Sequence, residues 1–349
     1  MSTDAPAVPV APVLEERGAR GVVELIFRVR ELGLLVALLL LVGGTYLAEP
    51  RYLSAQNLRD IGLNVAIVAL LAVGQTVVVI SRNIDLSMGS VLGFTAFATG
   101  SLFADHPGIS IPLVIAISVA IGASFGAING ALVSLGRVPS LVVTLGTLYI
   151  IRGADFAWAS GRQINAADMP DNFLKLGSDA IAGIPVLTLI AIAVMLVAGF
   201  YLRSYRSGRE LYAIGSNPDA ALLAGIRVGR RVFGAFVISG ALAGLAGALY
   251  AARFGTIDAA AGTGQELAVV SAVVVGGVAI FGGAGTVYGA ALGALLLACI
   301  GSALAVLRVN GFWEQAIVGA LLLTAITIDR LLALRVTHLL QRRSARRAG

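Results

Sequence analysis

The sequence predicts an all-α, polytopic membrane protein with about ten transmembrane helices and an internal parallel repeat. Three observations carry this prediction. Hydrophobic residues make up 58% of the chain and charged residues 13%, with a mean hydropathy of +0.92, whereas soluble domains carry about 25% charged residues. Charge-poor runs fall near 33–48, 61–80, 84–104, 111–134, 138–155, 181–202, 232–252, 267–282, 286–306 and 314–334, most of them close to the roughly 20 residues that cross about 30 Å of hydrocarbon. Finally, residues 77–93 align without gaps on residues 273–289, pairing Val77 with Val273, Val78 with Val274, Val79 with Val275, Ile84 with Ile280, Gly89 with Gly285, Val91 with Val287 and Gly93 with Gly289.

These runs divide the chain into three parts. Residues 1–31 form a tail in which Val22, Leu25, Ile26 and Val29 recur at helical spacing, as an interfacial helix requires; a disordered tail is the alternative. No small-residue cleavage site follows Tyr46, so a removable signal peptide is not expected. Residues 32–334 form the transmembrane domain, and 335–349 a basic tail. The uncharged stretch from Leu267 to Leu307 is too long for one span, so FGGAGT, with Gly282, Gly283 and Gly285, is expected to fold spans eight and nine into a hairpin. Val138 to Asp155 is the weakest span because Arg152 and Asp155 sit at its end, and a nine-span count is the alternative. With ten spans, the two copies of the repeat enter the membrane with the same polarity.

Orientation follows the Lys/Arg bias at the span ends. The segment 203–231 carries Arg203, Arg206, Arg209, Arg227, Arg230 and Arg231, and the tail carries Arg335, Arg342, Arg343, Arg346 and Arg347. Both are expected in the cytoplasm, with both termini on that side; Arg51 and Arg59 run against the trend. The basic excess is explained by this topology and by lipid head groups, and no aromatic stripe interleaves it, so nucleic-acid binding is not expected.

Catalytic and cofactor chemistry has few candidates. The single cysteine, Cys299, allows neither a disulfide within the chain nor a cysteine-based metal site. His106 falls in a turn and His338 in the tail, so no buried metal or nucleophile cluster is expected, nor an enzyme or a bound cofactor. No G-x-x-x-x-G-K-[ST] loop occurs, so energy for any pumping comes from another subunit or from an ion gradient.

Polar residues inside the apolar runs are more informative. The first copy of the repeat reads SRNIDLS where the second reads GVAIFGG. A carboxylate at that depth costs roughly 2.5–3.5 kcal/mol on insertion scales, so Asp85 needs a partner or water. Arg82 and Asn83 are its nearest candidates. Asp85 and Asn83 either cap a break between spans two and three or line a solute path. Gln75, Ser87, Thr144 and Thr147 are further neutral hydrogen-bonding candidates for such a path, although Ser and Thr are also common helix-packing residues. Gly240, Ala243, Gly244 and Gly247 give span seven a small face for close packing.

The basic segment contains a short helix with its own signals. Asn217 is a good N-cap, Pro218 suits the first helical position, Asp219 complements the helix dipole and Gly225 can close the C-terminus. About seven residues span roughly 10 Å, too short to be stable alone, so the helix needs a surface. Leu222, Leu223 and Ile226 offer apolar anchors for a groove on a partner; a simple capped loop is the alternative. Trp158, Arg162, Asp168, Asp171 and Asp179 occupy the longest loop on the opposite side, and Arg253 and Glu266 flank another, where Glu266 could pair with an arginine. Either loop could dock a partner; an ordinary solvated loop is the alternative for the first. Trp313 suits an interfacial anchor.

Four segments together resemble a known family: GQTVVVISRNIDLSMGS at 74–90, RVPSLVVTLGTLYIIRG at 137–153, GRELYAIGSNPDAALLAGI at 208–226 and GTGQELAVVSAVVVGG at 262–277. They are similar to the permease subunits of bacterial ABC importers for ribose, xylose and related sugars, over about residues 61–330. The resemblance implies a bacterial inner-membrane complex of two permeases, the same or paralogous, with two cytoplasmic ATPase subunits and a sugar-binding protein outside. It implies that Asn217, Pro218, Asp219, Leu222, Leu223 and Gly225 form the coupling helix that seats on the ATPase. RNIDLS with RVPSLVVTLGT leans towards rhamnose-type permeases. A branched-chain amino-acid permease of the same architecture is one alternative. An ion-coupled transporter, for which Asp85 is the clear titratable candidate, is another.

Overall fold

The computed structural model describes residues 32–327; the expected interfacial helix near 22–29, His338 and the basic tail 335–349 lie outside the described residues. The chain is helical where the apolar runs predict it: α1 (Leu32–Ala48), α2 (Ala55–Ile80), α3 (Met88–Asp105), α4 (Ile111–Ser134), α5 (Ser140–Ala159), α6 (Asp171–Ser178), α7 (Val186–Ser204), α8 (Arg206–Ser216), α9 (Pro218–Leu223), α10 (Val228–Phe254), α11 (Gln265–Val275), α12 (Val287–Val306) and α13 (Phe312–Thr327). Among the described residues, α2, α4, α5, α7, α10 and α12 are long and apolar enough to cross a membrane.

Helices α2 and α10 form the centre. The apolar window of α2 is 83% buried and that of α10 61%, against 22% for α4 and α7, so the last two turn most of their surface towards lipid or a partner. Helix α10 packs mainly on α4, α3 and α2. Lipid tails are as apolar as leucine, so helix association in a bilayer relies on close van der Waals contact and interhelical hydrogen bonds. Both are present. Gly122 of α4 lies against Gly240 and Gly244 of α10, Gly126 against Phe236 and Gly130 against Phe233, while Gly247 approaches Leu92 and Thr95 of α3. Thr99 and Ser118 share a 2.7 Å hydrogen bond between α3 and α4. The small face expected on span seven is thus used, and α4 supplies a matching stripe.

The repeat appears as two helix–break–helix units, α2–α3 and α11–α12. Tyr52 donates to the Cys299 carbonyl (3.0 Å) and Ser302 to Asn57 (2.8 Å), so the start of α2 adjoins the end of α12 and these two helices run antiparallel. Gly276 packs on Gly289 and Gly293 on Ala272, closing α11 and α12 into a hairpin. Helices α2 and α11 therefore run parallel, as the aligned sequence copies require. The breaks lie side by side, because the Gly283 N–H donates to the Ile80 carbonyl at 2.9 Å and Gly282 packs against Arg82.

Three expectations are corrected here. The run 267–282 is no full span: α11 has 11 residues and is about 16 Å long, roughly half of what a crossing needs. Glycine-rich sequence from Gly276 to Gly285 ends it, and 255–264 runs in against α3, where a Cβ on Gly89 would lie 2.8 Å from the Gly262 carbonyl oxygen. Second, the run at 181–202 does not start as helix: within an all-α architecture, Ala180–Ile181 pairs antiparallel with Ile184–Pro185 in a minimal hairpin, and nearby Ile164 bridges Ile257. The run at 181–202 becomes helix only from Val186, because Pro185 disfavours helical backbone before it. Third, the 203–231 segment holds an additional helix, α8, ahead of the expected one.

Replacing Gly240 with valine should lower stability by about 1–3 kcal/mol by overpacking the α4–α10 contact. Gly146→Ala, which adds a methyl in open space, should leave stability unchanged or slightly raised. Thermal unfolding of the detergent-solubilised protein distinguishes the two.

Candidate functional site: the paired breaks and the exposed short helix

Two regions carry the polar chemistry, and they adjoin. The first is the break between α2 and α3. Arg82 takes a left-handed φ of 67° and the chain turns back into the bundle. Asp85 and Gly74 both meet Ser239 of α10, and Gly74 lies six residues, or about 9 Å, before the end of α2. Helix α3 thus begins inside the bundle.

Asp85 is 2% exposed and accepts from the Ser87 N–H (3.0 Å), the Ser87 hydroxyl (2.6 Å) and the Ser239 hydroxyl (2.8 Å). Ser87 in turn accepts from Asn129 Nδ2 at 2.8 Å. One carboxylate therefore gathers the break, α10 and, through Ser87, α4. The expected partners of Asp85 are corrected: Arg82 is exposed, turned outward by its left-handed backbone, and Asn83 donates instead to the Ser81 carbonyl (2.9 Å) and hydroxyl (3.2 Å). Sequence reading missed Ser239 and Asn129. Asn129 carried a signal, as the one carboxamide in an apolar 24-residue helix; Ser239 carried none among so many small residues.

The remaining path candidates separate. Thr144 is buried and donates to the Ser140 carbonyl (2.9 Å) and the Ile84 carbonyl (3.3 Å), clamping α5 to the break. Thr147 bonds only within α5, to the Thr144 carbonyl. Gln75 is fully buried, and neither polar atom of its side chain has a hydrogen-bond partner in the protein. Ser271 Oγ of α11 is in the same condition.

The second region is the basic segment. Asn217 Oδ1 accepts from the N–H groups of Asp219 (3.1 Å) and Ala220 (3.0 Å), Pro218 opens α9, and Gly225 follows its end with φ 78°. Helix α9 has six residues. Leu222 is 64% and Leu223 90% exposed, two adjacent leucines standing off the protein. Ile226 differs from expectation: it packs on the main core, because the chain turns back at Gly225 towards α10.

Helix α8 connects the two regions. Glu210 accepts from Arg231 Nε of α10 at 2.5 Å and from Arg206 Nε at 2.8 Å, and these arginines, Arg231 above all, hold its carboxyl below the usual carboxylate range. Tyr212 donates to the Gly285 carbonyl at 3.0 Å, and burial pushes its hydroxyl up to about 12. Gly215 packs on Ile80 and on Gly282–Gly283 with no room for a side chain. The helix that leads into α9 therefore rests on both breaks at once.

On the opposite side, the expected loop residues are mostly engaged within the protein. Trp158 belongs to α5 and meets Phe94 at a tilt and Phe97 edge to face, Arg162 bonds Ser101 (2.8 Å) and pairs with Asp105 (3.5 Å), and Asp168 closes a capping box with Asn165. Arg152 donates to the carbonyls of Ala259 (3.1 Å) and Ala261 (2.5 Å), pinning the chain that leads into α11; Glu266 accepts from the Gly264 N–H at 3.2 Å. Among the described residues, no group of His, Cys, Asp and Glu could hold a metal ion.

Paired helix–break–helix units in an apolar bundle are the architecture of polytopic transport proteins. The family described as branched-chain amino acid transport system, permease component, matches residues 57–326, and the chain belongs to it. The chain is 38% identical to an autoinducer 2 import system permease protein, LsrC, of Enterobacter sp. strain 638, 36% to that of Klebsiella pneumoniae and 34% to that of Escherichia coli O157:H7, each over 300 residues that cover 86% of both chains. No solved structure matches the chain.

Ser239→Ala strips Asp85 of its α10 donor and should cost about 1.5–3 kcal/mol, the scale of a hydrogen bond to a charged group, measured by thermal unfolding in detergent. A depressed carboxyl stabilises the folded form above its ordinary range, near about 4.3, and loses that contribution as pH falls through the depressed folded value. Hydrogen-exchange protection of α8, corrected for intrinsic rates, should fall over that acidic window, and Glu210→Gln should lower protection at neutral pH and flatten the dependence.

Proposed function

We propose that the chain is the membrane-spanning permease of an ABC importer for a small, neutral, sugar-like solute, working with separate ATPase subunits and a solute-binding protein. The observation that carries this reading is the match to import-system permeases over 86% of both chains. Autoinducer 2, which the names of those relatives specify, is the first solute to test, ahead of rhamnose and other monosaccharides. The family description favours a branched-chain amino acid as the second reading.

The geometry supports a division of labour. The arginine-rich end, with Arg203, Arg206, Arg209, Arg227, Arg230 and Arg231, lies in the cytoplasm by the Lys/Arg bias, with both termini on that side. Helix α9, capped by Asn217, opened by Pro218 and Asp219 and closed by Gly225, offers Leu222 and Leu223 to a groove on an ATPase subunit, since two apolar side chains on so short a helix otherwise stay in water. Movement of α9 passes through α8 to both breaks, because Gly215 touches each of them. The beginning of α3, with Asp85 and Ser87, and the end of α11 then shift together. Gln75, Asn83, Thr144 and Thr147 are the neutral groups proposed to meet the solute as the pathway opens. The second permease subunit, a copy or a paralogue, is proposed to cover part of the exposed helix faces.

Uptake into proteoliposomes tests the reading, with the binding protein held fixed and the ATPase and ATP present or omitted. Autoinducer 2 should accumulate only with both, and leucine should not compete; accumulation of leucine would move the chain to the second reading, and uptake on an ion gradient without the ATPase would overturn the ABC mechanism. Leu222→Arg combined with Leu223→Arg should abolish uptake while the protein remains inserted and folded.

A further inference from the structure

A cavity of about 500 Å³ opens at the end of the bundle opposite α9, between α2, α10, α11, α12 and α13. Its volume falls in the range of about 300–1,000 Å³ typical of small-molecule sites. Its walls are polar for a membrane interior. Asn57, Asp60 and Asn64 recur along one face of α2 at helical spacing and all line it. Asn57 and Asp60 lie in the first turns of α2, ahead of its charge-poor run, but Asn64 lies within that run, where a polar group is costly and marks a water-filled route or a ligand site. Arg253 of α10 and Gln265 of α11 complete the floor, and Arg253 Nη1 and Gln265 Oε1 are buried there with no protein partner, one a donor and the other an acceptor. Glu314 of α13 closes the side.

Two features indicate what the cavity takes. The Asn57 amide is held by the Tyr52 carbonyl (2.7 Å) and the Ser302 hydroxyl (2.8 Å) and Asp60 accepts from Gln56, so Asn64, Arg253 Nη1 and Gln265 Oε1 are the interspersed donors and acceptors that a polyhydroxylated molecule could use. The ring of Tyr250, tilted against Phe254, whose own ring lies under the Arg253 guanidinium, stands beside them and offers an apolar surface to the C–H face of such a molecule. Both signs of charge line it, Arg253 against Asp60 and Glu314. Gln265 opens α11, and its neighbour Glu266 packs on Gly89 at the start of α3, so the floor of the cavity adjoins the place where the two inward-starting helices meet.

We propose that this cavity is a solute site on the import route, holding a small neutral polyhydroxylated molecule between its release from the binding protein and its passage past the paired breaks. This rests on the proposed import function, and the test separates the two.

Asn64→Cys in a Cys299→Ser background, assembled with the ATPase subunits in proteoliposomes, is labelled with a membrane-impermeant maleimide, with autoinducer 2 or leucine as the added probe. At a probe concentration ten times its half-saturation value, about one site in eleven stays open, so labelling should slow about tenfold with autoinducer 2 and remain unchanged with leucine. Ala298→Phe, which fills the cavity without altering its polar groups, should abolish uptake while basal ATP hydrolysis persists. If the unmodified complex imports autoinducer 2 but labelling ignores it and Ala298→Phe still imports, the cavity is off the route and the import reading stands. Protection by leucine alone would overturn the neutral-polyol class, and failure of the maleimide to label the Asn64→Cys variant in liposomes of either orientation would overturn the open cavity. If the unmodified complex imports none of the probes, the import reading itself fails.

Discussion

The hydrogen bond from the Gly283 N–H to the Ile80 carbonyl stands for the constraint on which the rest of the structure depends. Two helices stop inside or at the edge of an apolar bundle, and every peptide group freed there must find a partner within the protein. The breaks solve this jointly. Each supplies groups the other needs, and Gly283, at φ 79°, allows the backbone approach because its left-handed conformation carries no Cβ penalty. Gly215 of α8 extends the contact from two segments to three. None of the three can move far without uncovering backbone polar groups in the others.

This arrangement gives the proposed transport mechanism a mechanical basis. A surface helix resting on one break alone would move one unit of the repeat. Resting on both, α8 is placed to displace the end of α2 and the turn at Gly282–Gly283 together. The clamps on the first break are local and directional: Asp85 to Ser239, Ser87 to Asn129, and Thr144 to the Ile84 carbonyl. They fasten the break to three different helices, so rearranging it exchanges hydrogen bonds rather than merely sliding apolar surfaces. The glycine-lined α4–α10 contact offers no such exchange and is suited to remain a fixed frame.

Polar groups fall into two populations. Those around Asp85 are bonded to one another, Asn129 Oδ1 excepted, and hold structure. Gln75, Ser271, Arg253 and Gln265 instead keep buried polar atoms without protein partners. Such atoms are expensive to leave unmade, and in a protein proposed to move a hydrophilic solute they are groups that water and solute would satisfy in turn.

The sequence by itself determined the membrane class, the positions of most helices, the repeat and the capped helix at 217–225, because each depends on local information: apolar run length, aligned residues, or an Asn-Pro-Asp start with a glycine stop. The tertiary structure decided the rest. That Asp85 binds Ser239 rather than Arg82, that α11 is half a span, that Ile226 faces inward while Leu222 and Leu223 face out, and that Asn57, Asp60 and Asn64 share a cavity with Arg253 all depend on partners distant in sequence. The polar spacing along α2 was visible in the residues, but its meaning was not. Period alone identifies a helix face; only the packing of α10, α11 and α13 shows whether that face meets lipid, protein or an opening.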